Sequence, residues 1–238
     1  MGVVMGCGKY GSARADMVAR WFGIDGELAV DARPACLSTP ALDLRAGQLV
    51  LLTGASGAGK STLLREIARG HCRRARWIDL QRVRLPDALV IDVMTDALGG
   101  GRDEGAILAG LGALSRVGLG EVWTYLRRPG QLSDGQRWRL RVAIGLARAG
   151  NSCDALRGVW RRSRRLTVLA ADEFAAPLDR ITALVVARGL RKAVDSQRDL
   201  CAVVATTRDD LAAALQPDLT IHCDFGTYNH FSKGASHD

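Results

Sequence analysis

The residues Gly54-Ala55-Ser56-Gly57-Ala58-Gly59-Lys60-Ser61 carry the spacing G-x-x-x-x-G-K-[ST], with Thr62 next. Side chains of these types in this order can hold a row of phosphates. Glycines let successive backbone N–H groups curl round an anion where a Cβ would clash. A helix beginning at the end of the loop adds partial positive charge. Lys60 can reach the outer phosphates, and the Ser61 hydroxyl can ligate a divalent cation. A second pair with chemical potential is Asp172-Glu173, which follows the apolar run Leu166-Thr167-Val168-Leu169-Ala170-Ala171. At the end of a strand, Asp172 could hold the same cation through water and Glu173 could polarise an attacking water. The plain alternatives are a chance glycine turn and an acidic pair capping a helix. Elements of the right type on both sides of the loop weigh against them.

Those elements can be read from the pattern. Gln48 to Thr53 is a Leu/Val-rich run bounded by Gly47 and Gly54, which predicts a buried strand. Ser61 to Arg69 predicts the helix that leaves the loop, ending near Gly70. Ala75 to Leu80 predicts a second strand. Apolar spacing from Asp87 to about Gly118 predicts two helices broken at Gly99-Gly100-Gly101. Asp134 to Ala149 predicts a helix with Trp138, Val142 and Leu146 on one stripe. After a polar, basic stretch over 150–165 come strands at Leu166–Ala171, Cys201–Thr206 and Leu219–Cys223. Helices at Asp179–Gln197 and Arg208–Leu215 lie between them. Strands alternating with helices predict a parallel sheet covered on both faces.

Between the two chemical centres stands Leu132-Ser133-Asp134-Gly135-Gln136. Ser133 with Gln136 makes a capping box, hence a helix N-terminus whose free N–H groups can face an anion. The motif resembles the L-S-G-G-Q signature of the ATP-binding-cassette (ABC) superfamily, and Arg137 to Ile144 resembles the helix that follows it there. The resemblance covers about residues 41–224. It implies an α/β P-loop NTPase fold with a mainly parallel sheet and a small helical subdomain at about 87–130, the whole domain spanning 41–225. Residues 1–40 would be a lead-in and 226–238 a flexible tail.

For function, the resemblance implies ATP and Mg²⁺ as ligands and hydrolysis of ATP to ADP and phosphate. Gly54 to Thr62 would bind nucleotide, with Glu173, Lys60 and Gln81 catalytic and Ser61, Asp172 and Gln81 at the metal. Gln81 looks like the superfamily's Q-loop glutamine, and Asp179 in Pro177-Leu178-Asp179 like its D-loop carboxylate. Two copies would pair when ATP binds, Leu132 to Gln136 of one covering the phosphates held by the other. The phrases Gly130 to Arg137, Ala171-Asp172-Glu173-Phe174 and Val204-Ala205-Thr206-Thr207 are similar to a soluble ABC subgroup. Some members of that subgroup are fused to a predicted acetyltransferase domain.

Four features depart from the superfamily pattern. Asp134 replaces the first signature glycine and brings negative charge near a phosphate. Thr207 stands where the switch histidine is expected, with Arg208 beside it; neither can act as histidine does, so slow hydrolysis is expected. Gln81 follows Lys60 by only 21 residues, so the small antiparallel subdomain that normally intervenes is expected to be trimmed. No aromatic residue precedes the loop where adenine would stack. Trp21 and Phe22 could substitute, but core packing is the first reading for both.

Composition narrows the partners. The 238 residues include 33 Lys and Arg against 25 Asp and Glu, a net charge of +8, which favours polyanionic partners, nucleic acid first. Arg161-Arg162-Ser163-Arg164-Arg165 and the seven arginines between 65 and 84 could track a phosphate backbone or simply be solvated surface. No run is apolar and long enough to span a bilayer, and the first residues lack a secretory pattern, so a cytoplasmic protein is expected. Six single cysteines read as reduced thiols, and none of the four histidines has metal-ligand spacing. Gly6 to Gly11 matches G-x-G-x-x-G without the βαβ unit that a dinucleotide site needs. The resulting reading is a soluble non-transport ABC ATPase acting on or near nucleic acid. Its alternatives are a transporter's nucleotide-binding subunit docked on a membrane protein and a slow ATP-dependent dimerisation switch.

Overall fold

A computed structural model describes residues 12–23, 42–71, 73–150, 165–224 and 227–232. The chain divides into Met1–Ser38 and Thr39–Asp238. In the first unit, helix α1 (Ala13–Trp21) is capped by Ser12, whose hydroxyl accepts from the Ala15 N–H at 3.1 Å. Trp21 and Phe22 do not pack into a core: they are 74% and 76% exposed. The expectation of core aromatics fails there because the helix has only a weak apolar face, with Ala19 its one buried residue. Gly6 to Gly11 lies outside the described residues.

The second unit is a six-stranded sheet in the order β2-β3-β4-β1-β5-β6. Its strands are β1 (Leu49–Thr53), β2 (Arg76–Asp79), β3 (Thr167–Ala171), β4 (Leu200–Ala205), β5 (Leu219–Asp224) and β6 (Thr227–Ser232). The first five run parallel, with Leu51 in register with Val204 on one side and Thr220 on the other. The sixth is antiparallel to β5, Asp224 pairing with Thr227 and Cys223 with Tyr228. This corrects the reading of 226–238 as a loose tail for residues 227–232; the rest of that stretch lies outside the described residues. Thr227, Tyr228 and Phe231 are strand formers, and β5 offers them an open edge to pair with.

Alternation along each strand splits the core into two layers. Leu49, Leu51, Leu169, Ala171, Ala202 and Val204 face one side, where they pack with α6 (Asp134–Gly150) and α7 (Arg180–Ser196). Val50, Leu52, Val168, Ala170, Cys201 and Val203 face the other, against Leu63, Leu64 and Ile67 of α2 (Lys60–His71). The central strands β1, β3 and β4 are therefore buried on both faces, as a covered parallel sheet demands. Helices α3 (Val90–Leu98), α4 (Glu104–Arg116) and the single turn α5 (Val122–Tyr125) occupy the region expected to be a helical subdomain. The break between α3 and α4 falls at Gly99 and Gly100, whose φ angles of 128° and 79° only glycine adopts readily. No described helix is long and apolar enough to cross a membrane. Most of the basic stretch over 150–165, residues 151–164, lies outside the described residues.

Candidate active site

The site is built where three neighbouring parallel strands end. β1 runs into Gly54–Gly59, and the chain then turns into α2 at Lys60. Gly54, Gly57 and Gly59 have φ angles of 131°, 81° and 95°. A Cβ on Gly54 would also stand 2.2 Å from the Cys223 carbonyl oxygen of β5, so neither the backbone angle nor the space admits another residue. The Lys60 side chain is 8% exposed, and its ammonium donates to the carbonyls of Gly54 at 2.7 Å and Ala55 at 2.6 Å. The charge is thus parked over its own loop, next to the N-terminus of α2, where the peptide dipoles favour an anion.

Across from this loop, β3 delivers Asp172 and Glu173. They share with Ser56, Gly57, Gly59, Lys60, Ser61 and Thr62 one cavity of about 430 Å³, whose remaining wall includes Thr206, Thr207 and Arg208 after β4. Glu173 sits at φ 47° and Ala175 at φ 59°, two left-handed residues in three. Such angles persist only where the surroundings over-determine them. Here the Phe174 N–H donates to the Ala205 carbonyl at 2.8 Å, the Thr206 hydroxyl donates to the Phe174 carbonyl at 3.2 Å, and the Glu173 N–H donates to the Asp172 carboxylate at 3.1 Å. The Phe174 ring, fully buried, meets Trp138 of α6 edge-on with centroids 5.1 Å apart.

Gln81 lies in a one-turn helix, Leu80–Arg82, capped by Asp79, which accepts from the Gln81 N–H at 3.0 Å. Its amide Nε2 donates to the Asp172 carbonyl at 3.2 Å, and a second groove brings it together with Ser61 and Asp172. Leu132 to Gln136 do not reach the cavity. The capping box is formed: the Ser133 N–H donates to Gln136 Oε1 at 3.0 Å and the Gln136 N–H donates to Ser133 Oγ at 3.2 Å. Asp134 is 82% exposed and holds Arg137 at 2.5 Å. Gly135 lies against the chain's own Pro177 and Leu178, where a Cβ would be 3.1 Å from the Pro177 carbonyl oxygen. Asp179 caps α7 instead of lining the cavity. Its carboxylate accepts from Thr182, which together with nearby backbone N–H groups holds its pKa below the ordinary value.

Two residues carry more of the geometry than their sequence suggested. Thr206 is buried and bridges the ends of β3 and β4, and Arg208, noted in the sequence only beside Thr207, grips the loop after Glu173. The signal available was a threonine and an arginine directly after a strand that borders the phosphate loop. Of the seven arginines between 65 and 84, Arg65 donates to the Ser61 carbonyl at 3.0 Å, Arg76 to that of Arg148 at 3.0 Å, and Arg82 pairs with Asp79 at 3.3 Å. Among the described residues there is no cluster of metal-binding side chains. Cys201 and Cys223 are buried thiols, the first pushed up to about 12 by burial and then by the charge of Asp218.

Comparison with known proteins gives the same class. A family model described as ABC transporter matches residues 37–85. The lipoprotein-releasing system ATP-binding protein LolD of Myxococcus xanthus (strain DK1622) is 29% identical over 202 residues, 73% of this chain and 82% of that protein. Among solved structures, the dimeric bacterial ABC transporter cassette MJ0796 superposes with a TM-score of 0.58 at 20% identity, covering 80% of this chain and 88% of the other. CbiO1 of Clostridium perfringens, part of an ABC transporter complex, gives 0.52 at 19% identity, with 79% and 78% covered. At these identities the likenesses in structure show the fold. A phosphate loop, a strand-end Asp-Glu pair and a capped helix start are thus held in the P-loop NTPase fold of ABC ATPases, mostly parallel in its sheet and flanked by helices.

Proposed function

We propose that this chain works as the nucleotide-binding subunit of a transporter, pairing with a second copy and docking on a separate membrane protein. The observation that carries the catalytic part is the single cavity holding Lys60 and Ser61 on one wall and Asp172 and Glu173 on the other. LolD is by name the ATP-binding protein of a lipoprotein-releasing system, and MJ0796 a dimeric transporter cassette. That support makes the transporter reading stronger here than the non-transport, nucleic-acid-linked one.

In this reading the N–H groups of Gly57 to Ser61 and the Lys60 ammonium bind the phosphates of ATP. Ser61 and Asp172, with Gln81 behind them, would hold a magnesium ion, which supplies charge neutralisation of the phosphate oxygens when bound. Glu173 takes a proton from water as it attacks the terminal phosphorus, and ADP leaves. Asp134 keeps its partner Arg137 close, which offsets part of the charge that it would bring to a phosphate bound in trans. Thr207 offers a hydroxyl where an imidazole would polarise the terminal phosphate, so turnover is slow. The test is to express Glu173→Gln with ATP and magnesium and identify what copurifies. A polytopic membrane protein and a doubled mass are expected. A monomer bound to nucleic acid would remove the transporter reading.

A further inference from the structure

Arg208 occupies the position next to Thr207, where a positive side chain would be expected to reach for the terminal phosphate. Its guanidinium is already committed. Nη1 donates to the Leu178 carbonyl at 3.0 Å and to that of Ala175 at 3.5 Å. Nε and Nη2 take Asp210 as a fork, at 3.3 and 3.0 Å. The Arg208 N–H donates to Thr206 Oγ1, which itself donates to the Phe174 carbonyl. Asp210 in turn faces Arg180, the first residue of α7, at 3.8 Å. The Ala175 carbonyl also accepts from the Leu178 N–H at 3.1 Å, so the contact that matters is the one to the Leu178 carbonyl: Arg208 is 23% exposed and Leu178 9%, a sheltered place where an orphaned oxygen is costly.

We infer that Arg208 is a positioning residue for Glu173: it clamps the loop 173–178 in its left-handed conformation from the neighbouring strand, and does not ligate the terminal phosphate. The reasoning is geometric. Glu173 and Ala175 hold unfavourable backbone angles, and the carbonyls that fix the far end of that loop have Arg208 as donor. Planarity matters, because one flat group spans Asp210 on one edge and Leu178 on the other, which an ammonium cannot do. The inference rests on Glu173 being the residue that polarises water. It adds how that carboxylate is held in a chain whose switch position is threonine.

The experiment compares unmodified protein with Arg208→Ala, Arg208→Lys and Asp210→Asn. It measures turnover, KM, affinity for fluorescent ATP and ADP analogues, and melting temperature. The expected result is turnover down about ten- to a hundredfold in Arg208→Ala, since a misplacement near 1 Å costs on that order. ATP and ADP affinities should stay within about twofold, because binding groups are untouched. Arg208→Lys should recover little. Asp210→Asn, outside the cavity, should lower turnover in the same direction. A clamp that merely stabilised the fold would lower the melting temperature without this split between turnover and affinity. Loss of the preference for ATP over ADP in Arg208→Ala and Arg208→Lys, with Asp210→Asn normal, would overturn the inference and make Arg208 a phosphate ligand. Should Arg208→Ala not fold, the lysine and asparagine variants decide the question alone. If Glu173→Gln leaves turnover intact, the reading beneath is at fault, which is a separate result.

Discussion

The amide of Gln81 donates to the backbone carbonyl of Asp172 at 3.2 Å, across 91 residues of sequence. The contact joins the one-turn helix after β2 to the end of β3, so the glutamine is held beside the carboxylate proposed to bind magnesium. Replacing it by alanine should lower turnover about tenfold and raise the magnesium concentration needed for half-maximal rate, with ATP affinity changed little. A magnesium titration of turnover checks this; an unchanged curve would remove Gln81 from the site.

Glu173→Gln keeps the size of the side chain and removes its basicity. Turnover should fall by at least about a hundredfold, while ATP-dependent pairing of two chains persists. Single-turnover kinetics beside size-exclusion chromatography in ATP and in ADP would show both. Retained multiple turnover would mean that another group activates the water.

Gly54→Ala tests the loop rather than the chemistry. The added carbon meets the Cys223 carbonyl at 2.2 Å and sits at φ 131°, so the ends of β1 and β5 must part. A loss of about 2–4 kcal/mol in folding stability is expected, together with weaker nucleotide binding. Chemical denaturation measures the first, and stability within about 0.5 kcal/mol of the parent would show that the loop simply shifts.

Asp134→Gly restores the small residue of the signature and removes a carboxylate that is 82% exposed. Pairing in ATP should tighten a few-fold, most clearly at low ionic strength, where unscreened charge acts furthest. Light scattering across a salt series gives the answer, and a weaker dimer would show that the Arg137 contact organises the helix start.

Acid sensitivity follows from Asp179 and Asp210, both held below their ordinary value of 3.8. The first is lowered by hydrogen bonds from Thr182, the second by the hydrogen bond and charge of Arg208. A depressed folded-state value means that their stabilisation is complete above the ordinary carboxylate range and is lost as pH falls through the folded values. Melting temperature should therefore be flat from pH 7 to about 5 on this account and fall below about 4. Asp179→Asn should flatten part of that fall, which melting curves between pH 3 and 6 would detect.

The strand-loop-helix unit at Gly54 to Thr62 was legible in the sequence because glycine spacing, a bounded apolar run and a lysine all point to one backbone path. The strand ending at Asp172 was equally plain, since a continuous apolar run reads as buried on both faces. What the sequence hid was tertiary. Thr227 to Ser232 contains strand formers, but only its pairing with the open edge of β5 gives it a ladder. Trp21 and Phe22 read as core by type, yet their helix gives them nothing to pack on. Arg208 stood in the sequence only as the neighbour of Thr207; the folded loop shows which carbonyls claim it.

The edge-on contact of Trp138 with Phe174 has one more implication. Trp138 belongs to the first turns of the helix that begins at Ser133, and Phe174 follows Glu173 directly. A displacement of the loop at Glu173 would therefore be felt at the start of that helix. If two copies pair as proposed, the buried indole is the fulcrum of a lever from the place where a triphosphate is spent to the place where one chain greets its counterpart.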